Sequence, residues 1–460
     1  MDIVYERIRP PVIHEDYIPV DLTTEPMDDH TQRVLKAMEE KGLDILLVYG
    51  DREHGGAFSY LTGFEPRFEE GVLVLHKNGE CFLLLGNENL KMAKYSFAQG
   101  KVIHVPHFSL PCQPMETDST LEQLFAEAGL KDGMEVGCAG WKYFTGPLED
   151  NQQMYEIPSF IIEAVRKNNA HGKILHASDI FLHPERGLRI QCNGNEIAHY
   201  EFGAGLASGG VYRAMEAVSP GKTEMEIASN FNSFGQPLTV TAICATGERF
   251  TNGVVFPRNK KIERGQKVSF TFGLRGGLSS RAAYAAEGEQ DLPEEEKEYL
   301  VKVAIPYYRA AVTWYENVGI GVPGSEIYEK IEEVLPKEKF GWTLNPGHYT
   351  GNDEWISSPF SKESSVVLRS GMILQMDIIP SVPGYGGANA EDGIALADEA
   401  LRKEIEAKYP DVWRRMMDRR NYMQEVLGIS LREEVLPMSD ICGYFRPFLL
   451  DHERALKKKR

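Results

Sequence analysis

The sequence predicts an α+β protein of two domains: a small α/β domain, then a larger α+β domain whose halves resemble each other. Three observations predict it. The chain has 460 residues, more than one ordinary hydrophobic core accommodates. Short apolar runs alternate with amphipathic stretches through the first part. In the second part an amphipathic stretch introduced by Pro-Gly occurs twice, at 219–231 and at 322–335.

In the first part, "TQRVLKAMEEKGLD" places Val34, Leu35 and Met38 on one helical face, and Gly42 supplies the C-cap. "DILLVYG" follows as a buried strand. "GVLVLH" and "CFLLLG" read as two strands joined by "KNGE", with Asn78-Gly79 as the hairpin turn. "STLEQLFAEAGL" reads as a helix and "MEVGCAG" as another strand. The boundary is expected at 183–193, giving domains 1–185 and 186–460. Beyond it, "SPGKTEMEIASNF" and "VPGSEIYEKIEEVL" each lead from Pro-Gly through Thr or Ser into an amphipathic helix, and Thr223 with Glu226 can close a capping box. Either the unit is duplicated, or Pro-Gly-Ser/Thr is simply a common helix start. "GKT" lacks the earlier glycine that a phosphate loop needs. The segment after 398 reads as helical.

Apolar residues make up 42% of the chain, enough for genuine cores. The net charge of -18 repels phosphate backbones and argues against nucleic acid as a partner. The basic end, Lys457 to Arg460, reads as a solvated tail. The N-terminus is charged from residue 2 and carries no secretory pattern, and no apolar run is long enough to span a membrane. Six scattered cysteines without a CxxC pair fit reduced thiols, so a cytoplasmic protein is expected.

The most informative stretch is "NPGHYTGNDEW", residues 345 to 355, where His348 lies between Gly347 and Gly351. Together with "YLTGF" (60–64) and "GMILQMDIIPSVPGYGGANAEDGIAL" (371–396), it resembles the creatinase/aminopeptidase P/prolidase superfamily from about residue 28 to 398. The resemblance implies a pita-bread domain, a duplicated α+β fold, preceded by a creatinase N-terminal-like domain. It also implies a site in which two Asp, one His and two Glu hold two divalent metals.

Residue by residue, the implied set is incomplete. His348 matches the ligand histidine, Asp377 occupies the first Glu position and Glu391 matches the second. The first Asp position falls on Thr271, and the second within Ser280 to Ala282. A second family histidine falls on Trp355, and an upstream one near Val254. A two-metal hydrolytic site needs several anionic ligands, so a dinuclear centre is not expected. In one alignment Arg281 takes the second Asp position, where its guanidinium can replace a metal and pair with Asp377 or Glu391.

Creatinases are the superfamily's precedent for metal-free chemistry. Their shuttle histidine maps near Val254 and their strand glutamate near Ala282 or Ala283, so creatinase activity itself is not implied. In those enzymes the partner subunit's N-terminal domain also lends Phe and Arg to the substrate. "YLTGFEPRFEEG" offers Arg67 and Phe68, and "DREHGGAFSY" offers Arg52 and His54 on a loop after a strand.

The expectation is therefore a cytoplasmic, homodimeric, metal-independent hydrolase that cleaves a C–N bond of a small amide, amidine or amino-acid derivative. His348 acts as general acid/base, Asp377 and Glu391 orient it or bind a cationic group, and Arg281, Tyr284, Arg67 and Phe68 bind substrate. One alternative is an Xaa-Pro aminopeptidase or dipeptidase with one Mn, Fe, Zn or Co held by His348, Asp377 and Glu391. The other is an inactive pita-bread binding protein.

Overall fold

The computed structural model describes residues 1–252 and 255–459. The chain divides into two compact units, one of residues 22–190 and one of residues 1–21 with 191–460. The first 21 residues therefore belong with the C-terminal unit, not with the N-terminal domain the sequence suggested. The reason is strand pairing: β1 (Ile3–Arg7) runs antiparallel to the last strand, β15 (Arg454–Lys458), with Ile3 opposite Lys458. This also corrects the reading of the basic end as a solvated tail. Lys457 pairs with Glu6 at 3.2 Å, and Lys458 with Glu316 at 2.6 Å.

The N-terminal unit is built on strands β2 (Ile45–Gly50), β3 (Gly71–His76), β4 (Cys81–Leu85), β5 (Lys101–His104), β6 (Glu135–Ala139) and β7 (Lys173–His176). They form one mixed sheet in the order β5-β4-β3-β2-β6-β7. The hairpin at Asn78-Gly79 joins β3 to β4 as the sequence indicates. The helix Thr24–Lys41 buries Met27, Val34 and Met38, and ends at Gly42, whose N–H donates to the carbonyls of Glu39 and Met38. Every residue of β2 is buried, as befits a central strand covered on both faces.

The C-terminal unit centres on a seven-stranded sheet of β8 (Ile243–Thr246), β9 (Lys267–Leu274), β10 (Gly277–Tyr284), β11 (His348–Tyr349), β12 (Ile373–Met376), β13 (Asn389–Leu396) and β14 (Val435–Pro437). Its order is β11-β12-β13-β10-β9-β8, with β14 added beside β13. Two three-stranded halves, β8-β9-β10 and β11-β12-β13, thus meet where β10 pairs with β13.

Backbone hydrogen bonds show the duplication directly. Gly221 N–H donates to Ile262 and Gly321 N–H to Leu368; Ile262 returns a bond to Lys222, and Leu368 one to Val322. Glu224 donates to Lys260 as Gly324 does to Val366. The equivalent residues are therefore Gly221 and Gly321, not the two Pro-Gly pairs, so the repeat is three residues out of the register its Pro-Gly echo suggested. Both glycines have positive φ (93° and 86°), a turn that disfavours a side chain and so preserves glycine in each copy. The two positions before the helices, Thr223 and Pro323, are both N-caps, and Thr223 closes the expected box with Glu226.

The C-terminal segment folds as helices Glu399–Lys408 and Pro410–Glu425 and packs into this unit through buried charges. Arg415 and Arg419 bind Glu201 of the long helix Gly194–Ala217, and Arg419 also binds Asp440, which holds the His14 ring and the Tyr17 hydroxyl. Among the described residues no helix is long and apolar enough to cross a membrane.

Candidate active site

The joint between the sheet halves positions the polar cluster. Ser280 on β10 stands opposite Thr271 on β9 and opposite Glu391 on β13. Directly opposed residues share a face of the sheet, so these three form one row. Asp377 follows the last residue of β12, one step past the Met376–Asp392 pair, and so comes level with Glu391. His348 stands opposite Gln375 on the same face. One donor atom from each of His348, Asp377 and Glu391 lies within 4.8 Å of the other two, and all three residues are buried.

The loop after β11 folds back over this face. Tyr349 N–H donates to Ser357, Ile356 N–H returns a bond to Tyr349, and Gly276 N–H anchors Gly351. That fold returns Glu354 and Trp355 to His348. Glu354 Oε1 lies 3.2 Å from His348 Nε2, and Glu391 Oε1 lies 3.9 Å from the same nitrogen. The Trp355 ring stacks on the imidazole, with centroids 4.1 Å apart and planes 23° apart. Sequence reasoning did not select Glu354; its place beside Trp355, a residue already matched to a family position, was the available signal.

The hydrogen bonds fix the state of several groups. His348 Nδ1 lies 3.1 Å from the Tyr349 carbonyl, which only accepts, so Nδ1 carries a proton and Nε2 is the ring nitrogen turned toward the carboxylates. Nε2 and Asp377 Oδ1 make no aligned hydrogen bond among the described residues. The Thr271 and Ser280 hydroxyls bond each other at 2.8 Å and bring no charge to the row. The Gln375 side-chain amide donates to Leu278 O and, at 3.4 Å, to Glu391, and so steers that carboxylate.

Electrostatics follow from this crowding. Burial pushes the Asp377 carboxyl up to about 6, with His348 opposing and Glu354 reinforcing the shift. Burial, then the charge of Asp377, raises Glu391 well above the carboxylate range. Burial disfavours a charged His348, but Glu354 first, then Glu391 and Asp377, outweigh it and raise the imidazole well above its usual value.

Arg281 does not join the cluster. It lies one residue past Ser280 and therefore faces the other side of the sheet. There its guanidinium binds Asp392 at 2.6 Å, Ile441 O at 2.7 Å and Tyr444 O at 3.0 Å, and Ser279 completes the pair by donating to Asp392. The expectation that Arg281 pairs with Asp377 or Glu391 is thus corrected by strand parity. Tyr284 is corrected too: it is fully buried, and its hydroxyl donates to Glu296 and accepts from Gly386 N–H, which leaves nothing to offer a substrate.

In the N-terminal unit, Arg67 binds Glu65 at 2.8 Å and the Arg52 carbonyl, while Phe68 is 72% exposed with φ of 70°. His54 stacks on Trp141 and contacts Asp51 at 3.3 Å. The family position near Val254 lies outside the described residues.

Comparisons with known proteins agree with this architecture. Residues 31–139 match the creatinase/prolidase N-terminal domain, and residues 200–398 match metallopeptidase family M24. An Xaa-Pro dipeptidase of Pyrococcus horikoshii is 23% identical over 257 residues, 54% of this chain and 70% of that protein. An uncharacterized peptidase of Staphylococcus haemolyticus is 21% identical over 74% of this chain and 89% of its own length. Among solved structures, a prolidase from Thermococcus sibiricus superposes with a TM-score of 0.65 at 20% identity, covering 82% of this chain and 96% of that one. The prolidase of Pyrococcus horikoshii gives 0.62 at 19% identity, covering 80% and 95%. At such identities the likeness shows the pita-bread fold. With both domain matches in chain order on that fold, the chain belongs to the creatinase/aminopeptidase P/prolidase superfamily.

Proposed function

We propose that the protein hydrolyses the C–N bond of a dipeptide or related small amide at a centre holding one divalent cation between His348, Asp377 and Glu391. The observation that supports this reading is a buried cluster of donor atoms whose contacts are unfilled. Three donor atoms converge within 4.8 Å, and two of them, His348 Nε2 and Asp377 Oδ1, lack aligned partners. Among the described residues no lysine or arginine side chain pairs with the Asp377 or Glu391 carboxylate, and the guanidinium of Arg281, on the strand paired with that of Glu391, serves Asp392 on the opposite face. Imidazole with two carboxylates suits Mn, Fe, Zn or Co. The neutral hydroxyls of Thr271 and Ser280, bonded to each other, favour one cation over two.

A bound cation supplies Lewis acidity to an amide carbonyl and acidity to a water molecule. The residues supply the rest. The Tyr349 carbonyl keeps the His348 proton on Nδ1, Gln375 steers Glu391, and the Trp355 indole shields one face of the imidazole from water. Dipeptide substrates are supported by the Xaa-Pro dipeptidases among the relatives. A homodimer in which exposed Phe68 and Arg67 of one copy reach the substrate of the other extends the proposal, and sedimentation analysis tests it.

A panel of dipeptides including Xaa-Pro, assayed with Mn²⁺ or Co²⁺ and after chelation, tests the reading. Turnover that requires added cation and disappears in His348→Ala is expected. The Glu354–His348 contact favours a second reading, in which the imidazole and carboxylate move a proton unaided. Turnover that survives chelation but is lost in His348→Ala selects that reading. No turnover under either condition sinks both.

A further inference from the structure

Resting on the cation site proposed above, we infer that Glu354 is a fourth ligand of that cation, delivered by the loop after β11. The cluster drawn from the strands has two carboxylates and one imidazole, while the neighbouring row positions 271 and 280 carry mutually bonded hydroxyls. The loop adds the missing anion. Its backbone bonds from Tyr349 to Ser357, from Ile356 to Tyr349 and from Gly276 to Gly351 hold Glu354 beside His348, at the edge of the cluster.

The distance carries the inference further than charge alone. Two donors each about 2.1 Å from one cation and at right angles lie roughly 3 Å apart. Glu354 Oε1 lies 3.2 Å from His348 Nε2. With Nδ1 committed to the Tyr349 carbonyl, Nε2 is the ring nitrogen that faces oxygens of both Glu354 and Glu391. Carboxylates gathered on one imidazole call for positive charge, and a cation that binds there releases the ring's Nε2 proton and takes its place. The fully buried Nε2 without an aligned hydrogen bond, and the equally unpartnered Asp377 Oδ1, point to a cation. Glu354 thus gives the site three anionic oxygens and one nitrogen, a set for one cation in which a loop residue stands in for a strand residue.

The test is Mn²⁺ binding to the chelator-treated full chain, followed by calorimetry and by the electron paramagnetic resonance of free Mn²⁺. Wild type is expected to bind one Mn²⁺. Glu354→Gln, which keeps shape but not charge, and Glu354→Ala are each expected to weaken binding by at least about 10-fold, the lower bound for disturbing even an outer partner of a metal ligand. Thr271→Ala and Ser280→Ala are expected to bind as wild type. Melting curves confirm that the Glu354 variants fold, as the partly exposed position of this residue predicts. Wild-type affinity in both Glu354 variants overturns this inference and leaves the cation centre standing. Failure of wild type to bind Mn²⁺, Co²⁺ or Zn²⁺ removes the cation centre itself, and the fourth ligand with it.

Discussion

The two faces of the sheet at the β10–β13 joint both bury charge and treat it in opposite ways. On one face Asp392 is fully buried, but Arg281, Ser279 and the carbonyls of Tyr444 and Ile441 surround the pair and satisfy it. On the other face, one residue away along each strand, Glu391 and Asp377 share their surroundings with a single imidazole and the carboxylate of Glu354. The first face is closed electrostatically and can serve only structure. The second is left open, and buried charge is left open where something else is meant to bind or react.

The largest expected effect breaks the closed face. Arg281→Met keeps volume but strands Asp392, and removing one partner of a buried pair costs about 3–5 kcal/mol. Chemical denaturation measures it. A cost below about 1 kcal/mol, the range of an exposed pair, would mean that Asp392 finds another partner and that the two faces are not so different.

The next effect sharpens the contrast from the open face. Asp377 titrates at about 6 when folded, against 3.8 ordinarily, so between those values the folded chain binds more protons than the unfolded one. Unfolding free energy contributed by this group therefore falls as pH rises through that window. His348 acts in the same direction: its raised value gives stability present below its ordinary 6.5 and lost as pH climbs through the folded value. Asp377→Asn is accordingly expected to stabilise the cation-free protein near neutral pH, on the order of 1–3 kcal/mol, while weakening cation binding. Denaturation of both proteins at several pH values checks it. Equal stability at pH 5 and pH 8 in the difference curve contradicts the picture. Saturating Mn²⁺ is expected to reverse the ranking, because a ligand bound only by the native state stabilises it.

How the sequence announced these faces is uneven. Val34 and Met38, the Asn78-Gly79 turn and the triad His348, Asp377 and Glu391 were all legible, because periodicity, turn chemistry and motif spacing are local signals. Arg281 was not. Its face depends on whether the β9–β10 hairpin pairs Thr271 with Ser280 or with a neighbour, and a slip of one residue turns every side chain over. Glu354 was hidden for another reason: only the folded loop, pinned by bonds from Tyr349 and Gly276, brings it back to His348. The pairing of β1 with β15 spans nearly the whole chain, and two short edge segments carry no mark of such a distant partner. The repeat was visible but misregistered, because Pro-Gly drew attention while the backbone equivalence runs through Gly221 and Gly321.

The smallest effect concerns the cover of the open face. Trp355 stacks on His348, yet it is 40% exposed, so its removal forfeits an aromatic contact more than core burial. Such contacts contribute about 0.5–1.5 kcal/mol beyond area, and Trp355→Ala is expected to lose about that much stability in denaturation, with Trp355→Phe recovering part of it. The distinguishing measurement is Mn²⁺ binding. The indole lies against the flat of the imidazole, while Nε2 points within the ring plane toward Glu354 and Glu391, so truncation is expected to leave affinity little changed. A collapse of binding in both variants would instead make Trp355 the element that positions the whole loop. The open face would then depend on an apolar clasp for its geometry, as the closed face depends on Arg281.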